Sequence, residues 1–393
     1  MRTLASLIRR EFSRFWQRRV FVVVFLAMPL VISVVLGFVY YDGRIERLPI
    51  LVVDEDHSPT SARVVDMLSE NNALHVTTTR RSTLDLQELM LNHRSAAVVV
   101  IPFRFEAELL TKRIPEINCY LNMGNSLSAG VVGSAVQLSI GTLNAGVQMT
   151  VLQKKGTPIK LAERQYEAFH NNVFMKYNPA GNYLYFLWPG LIFSLFHQLL
   201  LLASAVGFSQ EYADNTFRGQ LLQYSRSPAI LILAKVFPYL CLSMLTALGY
   251  FIISLLFRVP PPAFPGTMSI SIFLLACSTC MLGTLFSIIS PLPVKASQTV
   301  MTIGSPAFSL TGFAWSMQEI PLALQIIADA IPLTPFLNTL RLVWIQGASI
   351  EQVMPHICHQ LLLVVIYFLL CCVLLRKKIK NAFRTQGLVP ASA

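Results

Sequence analysis

The stretch SQEYADNTFRGQLLQYSRSP, at residues 209–228, is a polar segment between two long apolar runs. Its apolar residues Phe217, Leu221 and Leu222 recur at helical spacing, and Pro228 can end a helix before the next run begins. This pattern indicates a short amphipathic helix that lies at a membrane surface and joins two spans. An ordinary connecting loop is the alternative that the pattern alone leaves open.

The composition of the whole chain places that segment in a membrane protein. Of the 393 residues, 54% are hydrophobic and 13% are charged. The mean hydropathy is +0.56, and these values together exclude a typical soluble enzyme. A helix that crosses a bilayer needs about 20 apolar residues. Six segments meet this requirement: 20–41, 183–208, 230–257, 268–290, 298–317 and 353–375.

The predicted fold class is therefore an α-helical polytopic membrane protein with six transmembrane helices. The first helix, at 20–41, lacks the small-residue cleavage site of a signal peptide, so we expect it to remain as an anchor. The fifth, at 298–317, is interrupted by Gly304, Pro306 and Gly312. The fifth segment is therefore the one whose helix the sequence defines least clearly.

The distribution of charge predicts the orientation of these spans. Residues 1–19 contain six arginines and one acid, and the tail at 376–393 contains five basic residues and no acid. Because basic residues near spans favour the cytoplasmic side, both termini and the loop at 209–228 are predicted to be cytoplasmic. The segment 42–182, with 14 basic and 14 acidic residues, is then extracytoplasmic. The net charge of +11 needs no nucleic-acid partner, since it lies mainly in the tails.

The first 19 residues are predicted to form a cytoplasmic interfacial helix. Apolar side chains follow one helical stripe and arginines occupy the other faces, which places the arginines near anionic headgroups. The stripe consists of Leu4, Leu7, Ile8, Phe12, Phe15 and Trp16.

The segment 42–182 has the size of one domain, and its strands and helices alternate, which predicts an inserted α/β extracytoplasmic domain. Strands are expected at 48–53, 75–79, 96–101 and 116–121. Helices are expected at 60–70, 84–93, 103–112 and 126–153. The last of these helices is long and weakly polar, and the sequence does not decide whether it touches the membrane.

Three groups of residues have spacings that metal sites also use. The acidic run 54–57 follows a predicted strand, which favours turn and capping roles over metal binding. Cys277 and Cys280 supply only two ligands within an apolar helix, which favours packing. His356 and His359 open the last span, where interfacial packing is the favoured role. The predicted number of metal sites is therefore zero.

His197 and Gln198 lie in the middle of the second predicted span. Polar groups at membrane depth are costly and usually face a bundle interior or water. Lining of a transport pathway and hydrogen bonding between helices are both compatible with these residues.

The stretch at 209–228 also resembles the cytoplasmic coupling segment of type-2 ABC-transporter permeases. That family has an acid, a Gly-Thr pair, paired leucines, a proline and a lysine on the following span. The matching positions are Glu211, Thr216, Leu221, Leu222, Pro228 and Lys235. Two positions depart from the pattern, because Asn215 stands where the family prefers glycine and Arg218 where an acid is usual.

Two further stretches resemble the same family. Residues 52–58 match the V-V-D-x-D-x-S opening of its external domain. Residues 305–347 follow its order of glycines and prolines near the last two spans, which suggests that 318–350 forms re-entrant extracytoplasmic elements. The resemblance thereby covers nearly the whole chain.

The resemblance implies the membrane subunit of an ABC exporter in the bacterial inner membrane. The sequence contains no G-x-x-x-x-G-K-[ST] loop, so ATP and Mg²⁺ are expected on a separate ATPase subunit, with no cofactor and no catalytic residue in this chain. A second permease chain, identical or different, and a periplasmic adaptor are the other implied partners besides the lipid bilayer.

The same resemblance assigns the coupling to the ATPase to residues of the 209–228 segment. Phe217, Leu221 and Leu222 are expected to insert as an apolar stripe into a groove on the ATPase. Glu211 is expected to orient the helix through a charged contact or a helix N-terminus, and Thr216 belongs to the same motif.

Other functional classes fit the sequence less well. A membrane-anchored binding or scaffold protein would use the segment 42–182, but passive spans need neither broken helices nor a patterned loop. An ion-coupled secondary transporter requires ionisable residues within its spans, and an intramembrane enzyme requires a catalytic constellation there. The predicted spans contain almost no ionisable residues. The transported substrate and the identity of the ATPase stay open.

Overall fold

A computed structural model describes residues 2–17, 23–79, 86–111, 113–154 and 176–384. Contacts between residues divide the chain into two units. The helical unit combines Met1–Gly43 with Met175–Ala393, and the inserted unit comprises Arg44–Phe174.

The helical unit contains long apolar helices and several short ones. Its helices are α1 (Arg2–Gln17), α2 (Met28–Val39), α7 (Tyr183–Ala213), α8 (Pro228–Leu256), α9 (Pro265–Ile289), α10 (Pro293–Gly304), α11 (Ala307–Leu310), α12 (Leu322–Asp329), α13 (Leu333–Leu340) and α14 (Ile350–Arg384). Helices α7 and α9 cross at close range, because Gly283 lacks a side chain there. A Cβ atom at Gly283 would lie 2.0 Å from Ser204 Oγ and 2.7 Å from the carbonyl oxygen of Leu201.

Among the described residues, five helices are long and apolar enough to cross a membrane by length and composition. Four of them, α7, α8, α9 and α14, belong to the helical unit and cover the second, third, fourth and sixth predicted spans. The remaining one, Met123–Thr150, belongs to the inserted unit. Helix α12 and the segment Leu333–Ile345 qualify as a further span only if they are taken as one bent pair, with an angle of 87° between them.

In the first predicted span, at 20–41, the described helical residues run from 23 to 39. A π-helical turn at Val23–Ala27 continues into α2, and together these form one of the shorter apolar helices. Residues 20–22 lie outside the described residues. Pro29 stands just after the π-helical turn, and because it has no N–H group it leaves that turn without one backbone hydrogen bond.

The fifth predicted span, at 298–317, is not a single helix in the structure. Helix α10 ends at Gly304 and the short helix α11 follows at Ala307–Leu310. Pro306 between them has no N–H group and cannot continue the hydrogen-bond ladder. Gly312 then adopts a φ of +73°, a left-handed conformation that glycine tolerates without strain.

The inserted unit contains a four-stranded sheet with the order β2-β1-β3-β4. The strands are β1 (Leu48–Asp54), β2 (Leu74–Thr79), β3 (Ala97–Ile101) and β4 (Asn118–Leu121). Strand β1 pairs in parallel with β2 and β3, whereas β4 is antiparallel to β3. The helices are α3 (Pro59–Ser69), α4 (Leu86–Asn92), α5 (Phe105–Leu110) and α6 (Ser126–Lys154). Each of these elements lies within a few residues of the segment expected for it.

Helix α6 packs against the sheet of the inserted unit through its first half. Val132 and Val136 belong to the same buried cluster as Ile50 and Val99 of strands β1 and β3. The Asn71 side chain donates to Ser139 Oγ at 3.3 Å. The apolar character of this half of α6 is therefore accounted for by packing within its own unit.

Candidate functional site

The segment 209–228 forms a compact turn between α7 and α8 rather than one regular helix. Helix α7 ends at Ala213, a π-helical turn covers Phe217–Leu221, and one α-helical turn covers Leu222–Tyr224. Asn215 reverses the chain with a φ of +54°. Asparagine tolerates this left-handed conformation better than most residues, which explains why it can replace the glycine that the coupling-segment pattern has at this position.

Glu211, in the last turn of α7, is the centre of a buried hydrogen-bond network, and its side chain is 1% exposed. Its Oε1 atom accepts hydrogen bonds from Lys235 Nζ at 2.7 Å and from the Arg14 guanidinium. Its Oε2 atom accepts from Arg10 Nη2 at 3.1 Å and from the Thr216 hydroxyl. Both carboxylate oxygens are thus engaged by two donors each.

A second acid completes this network. Glu11 accepts a hydrogen bond from Lys235 Nζ at 2.9 Å and another from Arg10 Nη1 at 2.8 Å. The Gln220 side-chain oxygen accepts from Arg10 Nη2 at 3.3 Å and from Arg14 Nη2 at 3.1 Å. The turn after α7 is therefore bonded to α1 through Gln220 as well as through Glu211.

We define the charge cluster as Arg10, Glu11, Arg14, Glu211 and Lys235. Three cations and two anions meet here from α1, α7 and α8, and all but Arg14 have side chains no more than 12% exposed. Removing one partner from a buried ion pair leaves an uncompensated charge, which typically costs about 3–5 kcal/mol. The cluster therefore holds these three helices in one arrangement.

Phe217, Leu221 and Leu222 do not face outward as the sequence suggested. Their side chains are 5%, 1% and 7% exposed and belong to the main core of the helical unit. The ring of Phe217 contacts that of Tyr212, with 4.9 Å between the ring centroids. The apolar side of the turn packs into the chain's own core. In this conformation these residues therefore cannot insert into a groove on another protein.

The outward face of the turn is formed by different residues. Arg218, Gly219 and Gln223 are exposed, and the Tyr224 side chain is 41% exposed. A Cβ atom at Gly219 would meet no atom within 4 Å. A partner that binds this turn would meet this polar and aromatic face, which we call the outer face.

The turn and the end of α7 also contact the C-terminal part of α14. The Arg226 guanidinium carbon lies 4.7 Å from the centroid of the Phe383 ring. Lys378 Nζ lies 5.5 Å from the centroid of the Tyr212 ring. Cation–π contacts of this kind contribute about 0.5–1 kcal/mol each at exposed positions. Helix α14 is thereby a fourth helix joined to this region.

His197 and Gln198 lie near the middle of the length of α7. The His197 side chain is 1% exposed, and neither ring nitrogen has a hydrogen-bond partner among the described residues. Gln198 packs against Gly304 of α10, where an added Cβ atom would lie 2.0 Å from Gln198 Oε1. The Gln198 side chain thus occupies the space that the missing side chain of Gly304 leaves.

In the run 54–57, the carboxylates of Asp54 and Asp56 stabilise the turn after β1. Asp54 Oδ1 accepts the backbone N–H of Asp56 at 3.0 Å, and Asp56 Oδ2 accepts that of Glu106 at 2.9 Å. Burial opposes the charged form of Asp56, but hydrogen bonds from Ser58 and Glu106 outweigh it and lower the pKa of Asp56. The carboxylates thus have structural partners within their own unit.

The other two pairs of candidate metal ligands, Cys277 with Cys280 and His356 with His359, lie within helices. Cys277 and Cys280 are buried free thiols in α9. A ring nitrogen of His359 lies 2.9 Å from the backbone oxygen of Asp329. Across the ranges that the structure describes, no group of three His, Cys, Asp or Glu side chains is placed to hold a metal ion.

Comparison with known proteins identifies the family of the chain. A family model described as "ABC-2 family transporter protein" matches residues 19–373. The chain belongs to the ABC-2 transporter family. As a member of this family it is a multi-span membrane protein and a membrane subunit of the ABC transporter class, which confirms the family that the sequence motifs indicated.

Individual ABC-2 relatives are distant in sequence. The "Probable multidrug ABC transporter permease YbhR" of Escherichia coli (strain K12) is 20% identical over 360 residues, which cover 90% of this chain and 93% of the relative. The "Probable multidrug ABC transporter permease YbhS" of the same organism is 25% identical over 175 residues, 44% of this chain and 46% of the relative.

Glu211, Thr216 and Lys235 belong to the motif that the sequence predicts, whereas their partners on α1 were not predicted. Arg10 and Arg14 were assigned to the membrane surface, and Glu11 was given no role. One signal was available, because Glu11 is the single acid among the basic residues of 1–19. An acid in such a position favours an internal ion pair over a contact with anionic lipid.

Proposed function

We propose that this chain is the membrane-spanning subunit of an ABC exporter and moves its substrate outward with ATP hydrolysed by a separate nucleotide-binding subunit. The observation that carries the proposal is the charge cluster, which joins the turn at 209–228 to α1, α7 and α8. Because packed elements of this kind move as units between discrete arrangements, a push on the turn would be transmitted to all three helices.

The ATPase subunit is proposed to bind the outer face of the turn. Tyr224 supplies an exposed aromatic ring, and Arg218 and Gln223 supply polar groups around it. Aromatic anchors surrounded by polar residues are typical of the centres of protein interfaces. In this proposal the turn is a rigid lever, with its apolar side held in the chain's own core and its polar side in contact with the ATPase.

The remaining partners follow from the family and are proposals of the same kind. Two permease chains would enclose the pathway between them, in the inner membrane of a bacterium. The inserted unit would lie outside the cytoplasm, with α12 and α13 as re-entrant elements on the same side. A periplasmic adaptor is the partner proposed for the inserted unit.

We expect both termini and the 209–228 turn to share the cytoplasmic side, because the basic residues of the tails favour that side. Single cysteines at Asn92 and Gln223, both exposed positions, can be introduced into a variant without native cysteines. An impermeant maleimide applied to spheroplasts should label position 92 but reach position 223 only after permeabilisation. The reverse labelling pattern would refute this topology.

We also expect the purified chain to hydrolyse no ATP by itself, because its sequence has no phosphate-binding loop. Phosphate release should appear only when the cognate ATPase subunit is added. A Walker-A lysine variant of that ATPase provides the control, since it should abolish the activity of the complex. Robust hydrolysis by the isolated chain would refute the assignment of ATP to a partner.

A further inference from the structure

An open cavity lies beside the turn that follows α11. Its volume is about 390 Å³, and its lining includes Trp315, Ser316, Gln318, Asn338 and Arg341. The left-handed backbone of Gly312 directs the chain around one side of the cavity. Helix α13 and the π-helical turn that begins at Arg341 provide the other side.

Arg341 is the single cation in the lining of this cavity. One of its Nη atoms donates to the backbone oxygen of Gly312, and its guanidinium carbon lies 5.3 Å from the centroid of the Phe313 ring. The Nε atom is buried and has no hydrogen-bond partner within the described part of the chain. The guanidinium is therefore held in place while part of its donor capacity stays unused.

No carboxylate of the described residues forms an ion pair with Arg341. Glu319 is the neighbour of Gln318 in the chain but does not line the cavity. Arg341 is partly buried, and the burial of a cation without a counter-charge is costly. Its planar fork of donors matches the oxygens of phosphate and carboxylate groups. This environment contrasts with the charge cluster, where each cation has an acidic partner.

Exposed apolar side chains lie on the loop that lines the cavity and on α12, the helix that follows this loop in the chain. Trp315 at the cavity is 65% exposed, and Leu322, Ile326 and Ile327 of α12 are 72%, 65% and 52% exposed. A ligand that reached Arg341 along these side chains would gain contact through an apolar body as well as through an anionic group.

We propose that Arg341, with the amides of Asn338 and Gln318, forms a binding site for the oxyanion of an anionic amphiphile. A phosphate or carboxylate group would accept hydrogen bonds from the guanidinium, and the apolar body would lie along Trp315 and α12. An anionic lipid headgroup and a soluble anion present the same chemistry to this site. The site does not depend on the transport reaction or on the ATPase.

The test uses the fluorescence of Trp315 in the full-length protein reconstituted into lipid nanodiscs. Brominated phosphatidylglycerol and brominated phosphatidylcholine are compared as quenchers, and a Trp315→Phe variant supplies the signal of the other tryptophans. Both lipids carry a phosphate oxyanion, but the choline cation offsets its charge in phosphatidylcholine. We therefore expect half-maximal quenching of Trp315 at a fraction of phosphatidylglycerol about fivefold lower than that of phosphatidylcholine, since the attraction of a basic residue to an anionic headgroup contributes about 1 kcal/mol.

Variants assign the preference to Arg341. Arg341→Gln should make the two lipids equivalent, whereas Arg341→Lys should keep part of the preference because it keeps the charge. Arg258→Gln is the matched control, since Arg258 is an exposed cation outside the cavity lining, and it should leave the preference intact. If Arg341→Gln fails to fold, Asn338→Ala replaces it and should reduce the preference.

A second arm separates the two sources of the anion. Inorganic phosphate is titrated into nanodiscs that contain only phosphatidylcholine. A change of Trp315 fluorescence that Arg341→Gln removes would identify a soluble anion as a ligand of the same site. The proposal is overturned if Trp315 quenching shows no preference for phosphatidylglycerol over phosphatidylcholine and its fluorescence does not respond to phosphate. It is also overturned if the preference or the response survives unchanged in both Arg341→Gln and Asn338→Ala.

Discussion

Replacing Glu211 with glutamine is expected to destabilise the helical unit by about 3–5 kcal/mol, because three cations would then face Glu11 alone. The amide keeps the size of the side chain but cannot balance Arg10, Arg14 and Lys235. Helix α1 loses the anion of α7 that Arg10 and Arg14 bind, so α1 should also become accessible to protease. The unfolding midpoint in a denaturing detergent and the rate of cleavage within α1 measure the two effects.

A double-mutant cycle tests whether charge is the cause. Glu211→Gln with Lys235→Met restores the original balance, with two cations against one anion and the same net charge of +1. The double variant should therefore be more stable than the sum of the two single variants indicates. Glu319→Gln, at an exposed acid, is the control and should have little effect. A Glu211→Gln variant as stable as the wild type, with α1 equally protected, would contradict this role of the cluster.

The second large effect is expected at Leu221 and Leu222. Both side chains are buried in the core of the helical unit, so changing each to alanine should cost about 2–5 kcal/mol, although neighbouring positions need not be additive. The double variant should be unstable before any ATPase is added. Detergent-induced unfolding of the isolated chain measures this directly.

Substitutions on the outer face should affect binding of the ATPase and not the stability of the chain. Tyr224→Ala with Gln223→Ala should leave the stability of the chain unchanged but lower its affinity for the ATPase at least about tenfold, as the loss of an interfacial tyrosine commonly does. The ratio of copurified ATPase to membrane subunit gives the measurement. If the leucine variant were fully stable and failed only to bind ATPase, the leucines would have to insert into the partner after all.

The comparison of these two sites shows which kind of information the sequence contains. The spacing of Phe217, Leu221 and Leu222 correctly identified an apolar side, yet the same spacing fits a groove on a partner and the chain's own core equally well. Periodicity describes which residues share a face of one element, and it carries no information about what covers that face. Only tertiary packing showed that the core covers it.

The helix expected at 298–317 shows the same distinction at the level of backbone. Its hydropathy suited a span, whereas Pro306 and Gly312 allowed either a kinked helix or an interrupted one. The structure has two short helices there, and Gln198 of α7 packs against Gly304 at the break. That contact joins residues far apart in the chain, so no local pattern could predict it.

The sequence by itself determined the features that depend on neighbouring residues. Long apolar runs specified α7, α8, α9 and α14, and short apolar runs specified strands β1 and β3 of the inserted unit. The motif at 209–228 indicated the family. The tertiary structure alone decided which charges meet. Glu11 and Lys235 are 224 positions apart, and Arg10 and Glu211 are 201 apart. Such pairs form because helices that pack together must neutralise the charges they bury, and that requirement acts through space and not along the chain.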